Sequence, residues 1–264
     1  MSAPFAIVRT GGEPPALETL EAAIRGVPGL TPYDARSRCD GHGIIVRGLS
    51  AEQAAVFETN LKAAGVIVEC VEEARLPVLP PGKIIRQVEF TAEALMILDL
   101  VGRKTPVNWK QIKLFAAGSV QLTTFSRSRQ EGAWGAEIVH VVHVGGLGAL
   151  PALLQDSGPN YTVKESSDWF LRAEIVLADG ATRYSFEAEK FQFTCLGERM
   201  TKNLAGDFCQ FVRELAGRAT SAALNRGAAA IVGEPPAFVY YPRKGMFHEE
   251  MIWMLWRAVE GRVS

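Results

Sequence analysis

Residues 17–70 decide the fold. Leu17-Glu18-Thr19-Leu20-Glu21-Ala22-Ala23-Ile24-Arg25-Gly26-Val27-Pro28-Gly29-Leu30 opens the stretch. It passes through Asp34-Ala35-Arg36 to Gly43-Ile44-Ile45-Val46-Arg47-Gly48-Leu49-Ser50-Ala51-Glu52-Gln53-Ala54, and Leu61-Lys62-Ala63-Ala64-Gly65 closes into Val66-Ile67-Val68-Glu69-Cys70. Leu17, Leu20, Ile24 and Val27 recur at helical spacing, and Pro28-Gly29 ends that helix. Residues 44–46 read as a strand. Ser50 with Gln53 three residues on is a capping-box pattern for a second long helix, with Ala54, Phe57, Leu61 and Ala64 as its stripe. Gly65 stands where a left-handed C-cap is wanted, and Val66, Val68 and Cys70 then alternate as a half-buried strand. With a short strand over 4–9, the order is that of a small α+β module.

Working outward, residues 76–82 (Leu-Pro-Val-Leu-Pro-Pro-Gly) hold three prolines and read as a stiff linker. The periodicity then changes. Residues 84–90, 94–98, 107–115, 119–125, 136–144, 169–177 and 182–186 read as strands, with turns at Gly102, Gly118 and Asp179-Gly180. Residues 145–167 interrupt them as a Gly/Pro/Ser-rich loop. Leu204, Phe208, Phe211 and Leu215 mark an amphipathic helix. Residues 233–242, with Pro235-Pro236 and Tyr240-Tyr241, read as an extended strap to a last helix over 247–259. The expected organisation is an α+β module at 1–75, a linker at 76–82, an antiparallel β-domain with a capping helix at 83–232, and a strap plus helix at 233–264.

The bulk numbers bound the function. A chain of 264 residues suits about two domains. Lys+Arg 28 against Asp+Glu 29 gives a net charge of −1, which supplies no field for nucleic acid or an anionic membrane. No run reaches the ~18 apolar residues of a spanning helix. Cys39, Cys70, Cys195 and Cys209 show no C-x-x-C spacing, so free thiols are expected. Met1-Ser2-Ala3-Pro4 lacks the features of a secretory signal, and the cytoplasm is the expected compartment.

Chemistry-bearing patterns are sparse. His140 and His143 are three apart within a strand, where such positions face opposite sides, so no shared metal is expected. Cys39 and His42 flank the one candidate thiol–imidazole pair, without a legible orienting acid. Gly145-Gly146-Leu147-Gly148 lacks the following helix that a dinucleotide loop needs, and no cofactor is expected. Arg103, Lys104, Lys110, Lys113, Arg127 and Arg129 concentrate positive charge, with Arg127 and Arg129 at a hairpin tip. They read as a solvated sheet face or as a patch for an anionic partner. Phe247, Met251, Ile252, Trp253, Leu255, Trp256 and Val259 leave the last helix apolar nearly all round, so it must be buried. Its cover is either this chain or a protein partner, a second copy included, held through Phe247, Met251, Trp253 and Trp256.

Residues 17–71 resemble the C-terminal domain of the bacterial ribosomal stalk protein. The resemblance rests on Ala23-Ile24-Arg25-Gly26, Gly29-Leu30, Asp34-Ala35-Arg36, Gly48-Leu49-Ser50, Gln53-Ala54 and Leu61-Lys62-Ala63-Ala64-Gly65. Residues 43–54 are also similar to the N-degron adaptor of the Clp protease. The fold is implied; the binding sites are not carried over. Glu21 and Ala22 replace the basic centre of the stalk's factor-binding helix. Arg9-Thr10 stands where the adaptor has an acid and an amide, and Arg38 and Cys39 lie nearest its pocket histidine. Residues 83–218 resemble a pleckstrin-homology-like domain in element order, but Phe90-Thr91-Ala92-Glu93-Ala94 is acidic where phosphoinositide binders are basic. The expected function is a non-catalytic interaction or scaffold protein. An enzyme with a site near Cys39 and His42, and a translation- or proteolysis-associated factor, stand as alternatives.

Overall fold

The computed structural model describes residues 3–99, 101–129, 139–143 and 161–259, the backbone alone for 123–129, 139–143 and 161–166. The chain is α+β. It divides into two compact units. One comprises the chain up to Pro80 together with the residues from His248 on; the other runs from Pro81 to Phe247. The expected strap and last helix are therefore shared between the units.

The first unit follows the order read from the sequence. Strand β1 (Phe5–Arg9) precedes helices α1 (Leu17–Ile24) and α2 (Pro32–Arg38); then come β2 (Ile44–Leu49), α3 (Ala51–Ala63) and β3 (Val68–Glu72). The sheet order is β2-β1-β3, antiparallel throughout. The capping box forms as expected: Gln53 N donates to Ser50 Oγ at 3.2 Å, and Ser50 N donates to Gln53 Oε1 at 2.9 Å. Leu20, Ile24, Phe57 and Leu61 close one side of the sheet over Ile7 and Ile45. Both outer edges carry side-chain caps. Cys70 N donates to Glu58 Oε1 at 3.1 Å, and Arg38 Nη2 donates to Arg47 O at 3.0 Å. Such caps block strand addition by another chain. Ala6, Ile7 and Val8 in the central strand are all fully buried, so both sheet faces are covered.

The second unit holds two sheets. The small one has the order β5 (Gln87–Phe90), β6 (Ala94–Leu98), β7 (Lys104–Asn108). The large one is built on β8 (Ile112–Arg129) and β10 (Tyr161–Leu177), paired antiparallel from Ile112↔Leu177 to Arg129↔Tyr161. It continues through β11 (Arg183–Glu187) to β4 (Gly82–Ile84). The other edge of β8 takes β12 (Ala223–Leu224) and β13 (Tyr240–Tyr241) in parallel and β9 (Val139–His143) antiparallel.

Several expectations need correction here. Residues 161–167, read as part of a loop, are the start of β10, and residues 84–90 are divided between β4 and β5 in different sheets. Residues 107–115 are not one strand. A 3-10 turn at Trp109–Gln111, capped by the Asn108 side chain accepting from Lys110 N at 3.0 Å, carries the chain from the small sheet to the large one. Gly118 is no turn but the middle of β8. The Tyr241 ring lies against it, and an added Cβ would stand 2.5 Å from Cε2, so only glycine admits the ring. The hairpin at Asp179-Gly180 is present. Asp179 Oδ1 accepts from Ala181 N and Thr182 N, both at 2.9 Å, and these bonds with that of Thr182 Oγ1 hold its carboxyl below the usual range.

Helix α4 (Leu204–Arg218) buries Phe208, Phe211, Val212 and Leu215 against the core, while Leu204, at its first position, is exposed. A short helix, α5 (Arg226–Val232), was not legible in the sequence. Asn225 fixes it, accepting from Ala117 N at 2.9 Å and Ala228 N at 2.8 Å and donating to the Tyr241 hydroxyl at 2.9 Å. The last helix, α6, runs Lys244–Val259. The glycine-rich stretch at 145–148 lies outside the described residues. Among the described residues no helix is long and apolar enough to cross a membrane.

Candidate functional site

A helix apolar all round must find cover on more than one side, and α6 finds it within its own chain. The four residues expected at a partner surface, Phe247, Met251, Trp253 and Trp256, are instead all buried. In the second unit Phe247 meets Tyr241 edge to face at 5.1 Å. In the first, Trp253 and Trp256 pack with Ala6, Val8, Ile44, Val71 and Leu76, on the sheet face that α1–α3 leave open. Trp253 Nε1 donates to Arg9 O at 2.6 Å. Its ring lies 5.1 Å from the Arg9 guanidinium and 5.0 Å from that of Arg257. Gly43 lets the indole approach, since a Cβ there would stand 3.1 Å from Trp253 Cβ. Arg47 Nε pairs with Glu249 Oε2 at 2.8 Å, and burial pushes the Glu249 carboxyl up against the opposing pull of Arg47. Arg9 Nε and Arg47 Nη2 are buried with no hydrogen-bond partner among the described residues.

The second unit holds a charge ladder inside the protein. Glu174, fully buried, accepts from Arg172 Nε and Arg183 Nη1, each at 2.6 Å. Arg172 Nη1 reaches Glu187 Oε1 at 2.9 Å, and Lys190 Nζ reaches Glu187 Oε2 at 2.7 Å. Burial, with Arg172 nearby, pushes the Lys244 amine down. Arg172 and Glu174 alternate along β10, and Arg183 and Glu187 lie on one face of β11, a pattern that reads in sequence as a solvated face.

An aromatic pair faces solvent. Trp169 of β10 and Tyr240 of β13 are 46% and 59% exposed, with ring centroids 5.2 Å apart and planes at 88°. Trp169 lies two residues before Leu171, which packs on the core, so the apolar face of β10 continues into solvent. A separate cleft of about 660 Å³ is lined by Glu93, Trp109, Lys110, Arg218, Thr220 and Ser221 among others. Arg218 is held there over the Phe90 ring at 4.9 Å and paired to Glu214.

The remaining candidates separate. Burial pushes the Cys39 thiol up to about 12, opposite to what a thiolate nucleophile beside His42 requires. Arg103 pairs with Asp99 at 3.4 Å and Lys104 with Glu89 at 2.6 Å, so part of the basic strip is internally neutralised. On β8, Arg127 stands opposite His140 and Val163, and Arg129 opposite Tyr161. Among the described residues no group of three or more His, Cys, Asp or Glu is placed to hold a metal ion. Comparison with family models, with curated proteins and with solved structures finds no match to this chain.

Proposed function

We propose that this chain is a non-catalytic protein–protein interaction or scaffold protein. The observation that carries the reading is the Trp169–Tyr240 pair. Two large rings held edge to face on strands, each about half in water, are a rigid apolar contact with little ordering entropy left to lose. Trp and Tyr dominate the binding energy of protein interfaces. The test is quantitative affinity purification with the intact chain, wild type against Trp169→Ala/Tyr240→Ala. With about 2 kcal/mol lost for the pair as a lower bound, affinity for a partner should fall at least ~30-fold, with the melting temperature little changed. Equal recovery by both proteins, or no partner with the wild type, would reject the reading.

A second reading draws on the order β1-α1-α2-β2-α3-β3 with β1 central. It supports the stalk- and adaptor-like resemblance and, by fold analogy alone, a role beside translation or proteolysis. Cosedimentation with ribosomes is the expected result for the translational branch, and absence from every ribosomal fraction would remove that branch. The pleckstrin-homology-like reading of the second unit is supported by its antiparallel strands leading to α4; the parallel additions β4, β12 and β13 are outside that pattern.

A further inference from the structure

We infer that the open face of the first sheet is a helix-binding surface, occupied by residues 248–259 as an internal ligand. The partner it fits is an amphipathic helix with two aromatic residues three positions apart and a carboxylate one turn before the first. This inference uses a different surface from the Trp169–Tyr240 pair, so either can fail alone.

Three observations carry it. First, the unit has a separate core cluster on the face of the sheet away from the helix. Ile7, Leu20, Ile24, Ile45, Phe57 and Leu61 close the other side of the sheet, and no residue of α6 belongs to that cluster. Second, the helix attaches by side chains. It adds no strand, and its polar contacts with the sheet include Trp253 Nε1 to Arg9 O and Arg47 to Glu249. These define what the surface reads: an indole N–H meeting a strand-end carbonyl, a ring under the Arg9 guanidinium, and an acid for Arg47. Third, the fit is imperfect. Arg9 Nε and Arg47 Nη2, on the two arginines that meet the helix, are buried with no hydrogen-bond partner among the described residues, and each carries a desolvation cost that no bond returns. A tight apolar strip with such costs at its rim suits a contact that opens and closes locally while the core behind it stays intact.

The test uses the full chain. Trp253→Ala/Trp256→Ala removes the two indoles of the internal ligand and leaves the receiving face untouched. A fluorescein-labelled peptide of residues 244–259 is the probe, read by anisotropy. Binding to the double variant at least tenfold tighter than to the wild type, and weakened at least tenfold by a further Arg47→Glu, is the expected result. Equal affinity for both proteins, or binding to neither, would overturn the inference. Should the double variant not fold, hydrogen exchange on the wild type decides. Amides of 251–257 exchanging at least tenfold faster than those of Ala6–Val8 support a displaceable helix; exchange at one common rate makes it core and ends the proposal.

Discussion

Replacing Glu174 with alanine is expected to destabilise the second unit by about 3–5 kcal/mol, the cost of breaking a buried ion pair from one side. Its carboxylate takes both buried guanidinium groups: Arg172 Nε and Arg183 Nη1 each donate to it at 2.6 Å. Without it both guanidinium groups lose this acceptor, in a region where burial and Arg172 already push the Lys244 amine down. Glu174→Gln keeps the volume and one acceptor, and should recover part of the loss. Glu187→Ala is the milder comparison, because Arg172 keeps Glu174 at 2.6 Å and the other partner of Glu187, Lys190, is largely in water, where pairs contribute little. Urea denaturation followed by circular dichroism reads all three. A Glu174→Ala loss below about 1 kcal/mol would show that the ladder is not closed in solution.

That ladder also marks where sequence reading stops. Arg172, Glu174, Arg183, Ser185 and Glu187 alternate with apolar residues, and in an antiparallel sheet such alternation means one wet face. Here the polar face is buried too, and nothing local signals it, because the cover comes from elsewhere in the chain. The last helix posed the same problem from the other side. Its apolar surface required burial, but not a particular cover. The deciding signal was present 240 residues earlier. Ala6-Ile7-Val8 is an uninterrupted apolar run, and a strand buried on both faces needs a second layer. The first unit was legible because its signals are local: the Ser50–Gln53 box, the stripe of α3 and the turn at Gly65, whose φ is +80°. Gly118 was misread because a glycine between two apolar runs looks like a turn, whereas its purpose is to admit the Tyr241 ring from 123 residues away in sequence. Asn225 escaped notice for a like reason: its side chain joins a strand, a helix start and a tyrosine hydroxyl that only the fold brings together.

Phe211→Ala should cost about 3–5 kcal/mol, at the upper end for a core aromatic. The side chain is fully buried, and its ring stands 4.8 Å from Phe191, 5.3 Å from Phe186, 5.9 Å from Phe90 and 6.0 Å from Phe193. Those four rings come from different pieces of chain: Phe90 from the small sheet, Phe186 from the large one, Phe191 and Phe193 from the turns after β11. Each is tied to its own backbone, so they cannot move together into the space, and the cost of a cavity depends on how well its walls collapse. Phe211→Leu should lose less, since it keeps most of the volume and gives up chiefly the ring–ring contribution of about 0.5–1.5 kcal/mol per pair. The decisive readout is where the loss appears. Phe90 packs with both Phe211 and the Arg218 guanidinium at the end of α4, so the Phe211 ring is one tie between this helix and the small sheet. Hydrogen exchange in Phe211→Ala should therefore quicken across β5, β6 and β7 before it quickens in β8 and β10, whose mutual ladder does not pass through the ring. Uniform acceleration over both sheets would show instead that the unit opens as one body.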